Sequence, residues 1–141
     1  MPQKTLEIHD HKDSDDAKMI LRNLISFNEM KARSDDSQEL MITLKSEKGE
    51  LVAGLNGHTG WGWLFVQTLW VSDDSRRGGM GTLLMAAAES EAKRRGCAHA
   101  WLDTFSFQAR EFYEKLGYAV FGQLEDFPEG HRRFFLQKKL S

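Results

Sequence analysis

Trp70-Val71-Ser72-Asp73-Asp74-Ser75-Arg76-Arg77-Gly78-Gly79-Met80-Gly81-Thr82-Leu83-Leu84 joins an apolar strand to a helix through a turn rich in Arg and Gly. The first backbone N–H groups of a helix have no intrahelical partner, and the helix dipole adds partial positive charge there. A turn of this kind is an anion site suited to a pyrophosphate. Gly78, Gly79 and Gly81 let the backbone approach phosphate oxygens closely, and Arg76 and Arg77 add charge-assisted donors. The plain alternative is a connection that uses glycine only to turn; the spacing argues against it.

Three phosphate-loop patterns compete. A Walker loop ends in Gly-Lys-Ser or Gly-Lys-Thr, whereas Gly79 is followed by Met-Gly-Thr with no lysine. A Rossmann fingerprint needs three spaced glycines and an acidic residue about twenty positions later. Here Arg takes the first glycine's place, and the downstream segment Lys93-Arg94-Arg95 is basic, reading as a solvated helix end favoured by the dipole. The third pattern, Arg/Gln-x-x-Gly-x-Gly/Ala, is met by Arg76, Gly79 and Gly81.

The chain has 141 residues, enough for one domain spanning 1–141 with a real core. A formal net charge of −2 gives no nucleic-acid footprint. The single cysteine, Cys97, excludes an internal disulfide framework and suits a reducing compartment; it reads as a small buried hydrophobe. No apolar run is long enough to span a bilayer, and the N-terminus lacks the apolar core of a signal peptide. These features predict a cytoplasmic protein with neither a membrane nor a nucleic acid as partner, as a monomer or homodimer. His58, His99 and His131 show no metal-ligand spacing; His9 and His11, with Asp10 and Asp13 nearby, could ligate a metal but read better as a solvated segment, so no metal is expected.

Along the chain, Thr5 to His9 alternates as a first strand, and Ser14-Asp15-Asp16 starts a helix through Ala17, Ile20, Leu21 and Leu24. Glu39 to Ser46, Leu51 to Asn56 and Trp61 to Val71 read as strands, the last apolar on both faces, with Gly54 and Gly57 loosening the end of the second and His58-Thr59-Gly60 as the connection between the last two. Met80, Leu83, Leu84, Ala87, Ala88 and Glu91 form a helical stripe ended by Gly96. His99 to Asp103 is a parallel strand, followed by a helical stripe at Ala109, Phe112, Tyr113 and Leu116. Tyr118 to Leu124 and Arg132 to Gln137 close the chain as a hairpin around Phe127-Pro128-Glu129-Gly130. The order βα(α)βββαβαββ describes a mixed α/β fold with a largely antiparallel sheet and one parallel crossover.

Ala109-Arg110-Glu111-Phe112-Tyr113-Glu114-Lys115-Leu116-Gly117-Tyr118 matches Ala-x-x-Phe-Tyr-x-x-x-Gly-Phe/Tyr. The turn at Arg76–Thr82 and this segment, in that order about a strand, resemble the two hallmark segments of the GNAT acetyltransferase superfamily, over roughly residues 38–140. The resemblance implies an acyl-CoA N-acyltransferase fold with splayed strands and acetyl-CoA as co-substrate. Its pyrophosphate would lie on Arg76, Arg77, Gly78, Gly79, Met80, Gly81 and Thr82. The pantetheine arm would lie along the free backbone of Leu69, Trp70 and Val71. Tyr113 matches the tyrosine that reprotonates the CoA sulfur; on periodicity alone it is a core tyrosine. Ser106 replaces an Asn that contacts the CoA arm in many members, with a shorter reach. The strand before the phosphate turn carries no carboxylate, which leaves Asp103 as candidate base, with a structural acid weighed evenly against it. The implied activity is acetyl transfer to a primary amine of a small molecule by direct attack in a ternary complex. Two alternatives stand beside it: acetylation of a protein lysine or N-terminal amine, and a non-catalytic acyl-CoA-binding module.

Overall fold

The computed structural model describes residues 3–75 and 78–140. The order of elements is α1 (Asp15–Lys31), β1 (Gln38–Lys45), β2 (Leu51–Gly60), β3 (Trp63–Val71), α2 (Met80–Arg94), β4 (His99–Phe105), α3 (Arg110–Lys115), β5 (Ala119–Glu125) and β6 (Arg132–Lys139). Two compact units divide the chain, Met1–Asp35 and Asp36–Ser141. The first unit holds α1. Ser14 caps it, its Oγ accepting from Ala17 N at 3.2 Å, and Asp15 and Asp16 sit where the helix dipole favours acids. The expected strand at Thr5 to His9 is absent: the described sheet begins at Gln38. Alternating residues make a strand only when a neighbour takes up the backbone groups, and no strand pairs with this segment.

The second unit is a mixed six-stranded sheet in the order β1-β2-β3-β4-β6-β5. Among the described strands only β3 and β4 run parallel. The turn into β3 lies at Trp61-Gly62, whose φ values of 48° and 82° mark a two-residue hairpin loop of the primed type. His58 to Gly60, expected as a loop, therefore belongs to β2, with Gly60 paired to Trp63.

The core lies on one face of the sheet. Ala53 and Leu55 of β2, Leu64 and Val66 of β3, Ala100 and Leu102 of β4, and Phe134 and Leu136 of β6 are all buried. So are Leu84, Met85, Ala88 and Ala92 of α2, which contacts β1, β2 and β3. Full burial of a leucine-sized side chain stabilises by about 1.5–3 kcal/mol. The observed α2 face is rotated from the expected one, since Leu83 and Ala87 are exposed and Met85 is buried instead. Arg95, read from the sequence as part of a solvated helix end, is a staple. Its guanidinium reaches Glu91 at 2.8 Å, Thr59 Oγ1 at 3.1 Å and the Glu39 carbonyl at 3.2 Å. It thereby ties the end of α2 to β1 and β2.

One irregularity in β3 matters most. The β2–β3 ladder pairs Gly57 with Val66 but Asn56 with Thr68, leaving Gln67 as an extra residue. Such a bulge bends its strand and resets the alternation of side chains. Accordingly Leu64 and Val66 face the core before Gln67, and Leu69 and Val71 pack against it afterwards. Gly57 is the residue that permits this: a Cβ there would lie 2.0 Å from the Phe65 carbonyl oxygen. Gly57 is thus a requirement of the ladder rather than a loosening of its end. Gly57→Ala should lower the unfolding free energy by about 1–3 kcal/mol, as overpacking does. Urea denaturation of Gly54→Ala, whose Cβ would meet its nearest neighbour at 3.4 Å, serves as control and should show a smaller loss.

Candidate active site

The β3–β4 ladder runs from Trp63–His99 to Val66–Leu102 and stops at the bulge. Beyond it β3 continues to Val71, bonded only to β2 through Leu55–Leu69, Gly54–Trp70 and Ala53–Val71. β4 continues to Phe105, bonded to β6 through Asp103–Phe135, Thr104–Phe134 and Phe105–Arg133. Two parallel strands thus part in the middle of a sheet. Among the described residues the edge of Leu69, Trp70 and Val71 that faces β4 has no ladder partner, and unpaired backbone groups are strong recognition elements for an extended amide-bearing ligand. This is the splay that the resemblance leads one to expect.

At the end of β3 the chain makes a short 3₁₀ turn, Asp73–Ser75, and enters α2 through Gly78 and Gly79. Gly79 is the N-cap at φ 74° and itself makes no side-chain cap hydrogen bond. The first intrahelical bond among the described residues runs from Leu83 N to Gly79 O at 3.0 Å. The amides of Met80, Gly81 and Thr82 precede it, so the helix start keeps donors for an anion. Arg76 and Arg77 lie outside the described residues. Gly81 has a packing role that the sequence does not reveal: a Cβ there would sit 3.1 Å from the tip of the Phe112 ring. The phosphate-type turn and α3 are therefore in close contact.

Tyr113 is the next residue of α3. Tyr113 is buried, with its ring edge-on to Phe112 and Tyr118 at centroid distances of 5.1 Å and 6.2 Å. Burial, reinforced by the negative charge of Asp103, pushes its phenol up to about 12. The proton is thus held firmly at neutral pH. Tyr118 donates to Glu89 at 2.9 Å, and Lys138 reaches the other oxygen of Glu89 at 2.8 Å. This trio ties α2 to β6 and to the start of β5.

On the other face of the sheet, Asp103 is the first β4 residue past the last β3–β4 pair. Its Oδ1 accepts from Arg133 Nε at 2.9 Å and lies 2.8 Å from Arg133 NH2. The same guanidinium stands 5.0–5.4 Å from the ring centroids of Phe127, Phe105 and Phe135, a range at which cation–π attraction acts. Ser106 Oγ accepts from Arg132 N at 3.0 Å and lies 3.3 Å from His131 Nδ1. Asp103 and Ser106 are thus both tied to β6 and to the β5–β6 loop, by Arg133 and His131. Neither partner was singled out from the sequence, because they lie 25 or more residues away and carry no motif. Among the described residues no cluster of metal-ligating side chains is present, and no helix is long and apolar enough to cross a membrane.

The sequence model of the acetyltransferase (GNAT) family matches residues 5–118. Acetyltransferase Atu2258 of Agrobacterium fabrum is 34% identical over 132 residues, covering 94% of this chain and 96% of that protein. Blasticidin-S acetyltransferase of Streptomyces morookaense is 41% identical over 95 residues, covering 67% and 70% respectively. The crystal structure of an acetyltransferase from Bacillus cereus superposes with a TM-score of 0.81 at 32% identity, over 94% of this chain and 97% of that one.

The buried phenols give the fold an alkaline limit. An unfolded tyrosine ionises near pH 10, whereas Tyr113 in the folded chain keeps its proton to about 12. Burial, aided by Glu89, raises Tyr118 as well. Because the folded-state values are raised, their contribution is complete below about pH 10 and declines as pH rises toward 12, where the unfolded chain binds fewer protons. Urea unfolding followed from pH 8 to pH 11.5 should show a steeper alkaline loss for the parent protein than for Tyr113→Phe.

Proposed function

The chain belongs to the GNAT acetyltransferase family and is an N-acetyltransferase, and on that premise we propose that it moves an acetyl group from acetyl-CoA to a primary amine of a small molecule. The observation that carries this reading is the parting of β3 from β4 at Gln67. It leaves a slot whose one wall is open backbone, with a helix start rich in free amides at its end. Both features fit the donor: the slot takes the amide-bearing pantetheine arm and the helix start takes the pyrophosphate.

Acetyl-CoA supplies an activated thioester when bound. Leu69, Trp70 and Val71 hold its arm through their backbone and orient the carbonyl, and Gly78 to Thr82 hold the phosphates, with Arg76 and Arg77 adding charge. Ser106 stands at the end of β4, where its Oγ also serves the β5–β6 loop. Asp103, paired with Arg133, stands on β4 just past the last β3–β4 pair. The amine attacks directly in the ternary complex, and Tyr113 gives its proton to the departing sulfur. A phenol held protonated near neutrality suits that role. A small acceptor is favoured by the relative named for blasticidin S, which matches this chain over 95 residues. Blasticidin S is accordingly the first acceptor to assay. We further propose that residues 1–141 act as one functional unit in the cytoplasm.

Gly79→Asp should abolish acetyl-CoA binding measured by calorimetry while the protein remains folded, because a carboxylate and a strained φ enter the anion turn. Undiminished affinity would remove the turn from the donor site. Tyr113→Phe should lower turnover by roughly 10²-fold with little change in acetyl-CoA affinity. A well-folded variant with full turnover would leave Tyr113 with packing alone.

A further inference from the structure

We propose that His131 is the group that takes the proton from the attacking amine, with Ser106 as its positioning residue; this inference rests on the acetyl-transfer reading above. The strand register carries it. Counting on from Val66–Leu102 and passing over the bulged Gln67, Val71 stands at the level of Ser106 across the open gap. The Ser106–His131 pair therefore sits on the wall of the slot opposite the backbone assigned to the thioester. Two backbone bonds hold that wall together: Ser106 N donates to Arg132 O at 2.8 Å, and His131 N donates to Pro128 O at 2.9 Å.

The pair also has the right hydrogen-bond chemistry. Arg132 N–H occupies one lone pair of Ser106 Oγ at 3.0 Å. The second lone pair can accept Nδ1–H of His131, 3.3 Å away, which leaves the Nε2 lone pair to accept a proton. The imidazole ring is steadied edge-on against Phe107, at a centroid distance of 5.1 Å. Imidazole is the side chain suited to exchange protons near neutral pH. The neighbouring charges are largely matched: Arg132 pairs with Glu125 and Arg133 with Asp103, while Asp126 accepts from Gly130 N and Glu129 lies two residues back. With Asp103 Oδ1 taken by Arg133, His131 offers the base that β3 itself lacks.

In this scheme the ammonium first loses one proton to solvent; the neutral amine nitrogen then forms the bond to the acyl carbon as its second proton passes to His131 Nε2. The carbon–sulfur bond breaks with its electron pair on sulfur, and the phenol of Tyr113 protonates the thiolate. The imidazolium then returns its proton to solvent, which resupplies Tyr113.

His131→Asn keeps an amide donor near the Nδ1 position and removes the base. With acetyl-CoA as donor and blasticidin S or tyramine as acceptor, kcat/KM should fall by roughly 10²-fold or more. The acidic limb of its pH profile should vanish and acetyl-CoA affinity should stay unchanged. Activity within twofold of the parent with the same acidic limb overturns the proposal. A second arm needs no acceptor. In nitrogen–proton spectra of protein labelled at histidine, His131 should be the Nδ1–H tautomer when neutral and should lose that preference in Ser106→Ala. An Nε2–H tautomer in the parent overturns the proposal equally. Parent protein that acetylates neither amine would instead contradict the acetyl-transfer reading, since the tautomer arm still reads the pair directly.

Discussion

A single extra residue in one strand governs the site. Gln67 is the place where the β2–β3 ladder slips by one and where the β3–β4 ladder ends. The bend at a bulge turns the second half of β3 away from its parallel neighbour, and both strands then stay paired only on their outer sides. Gly57 makes the slip possible, because the Phe65 carbonyl occupies the space that a side chain would need.

The rest of the unit holds the parted strands in place. Leu69 and Val71 keep β3 anchored to the core after the bend, and Thr104, Phe134 and Leu136 do the same for β4 and β6. Polar ties add orientation at the periphery. Arg95 fastens the end of α2 to β1 and β2, while the Glu89 carboxylate joins Tyr118 and Lys138. Glu89 and Glu91, the partner of Arg95, are each engaged with cations or donors, as partly buried charges must be. Close packing of Phe112 on Gly81 then sets α3 against the start of α2. The phosphate-type turn, the open β3 edge and Tyr113 are thereby brought to one end of the sheet.

Much of this was legible from the sequence because it is local. The α1 cap at Ser14, the helical stripe around Tyr113 and the glycine-rich helix start are patterns within a few residues, and the structure carries each of them. The bulge was not legible, since it belongs to two strands together and Trp61 to Val71 reads as an unbroken apolar run. Gly57 looks no different from Gly54 until the Phe65 carbonyl is seen above it. Arg95 looked solvated because its partners come from β1 and β2. Arg133 and His131 escaped notice for the same reason, their contacts being set by strand pairing and a loop. The alternation at Thr5 to His9 misled in the opposite sense, offering a pattern with no partner strand.

Hydrogen exchange read by mass spectrometry, with and without acetyl-CoA, tests the role of the parted strands most directly. The open edge of β3 predicts that acetyl-CoA slows exchange at Leu69, Trp70 and Val71 together with Met80, Gly81 and Thr82. The paired segment Trp63 to Val66 should change little. Protection confined to other segments, with Leu69 to Val71 exchanging as before, would contradict the account.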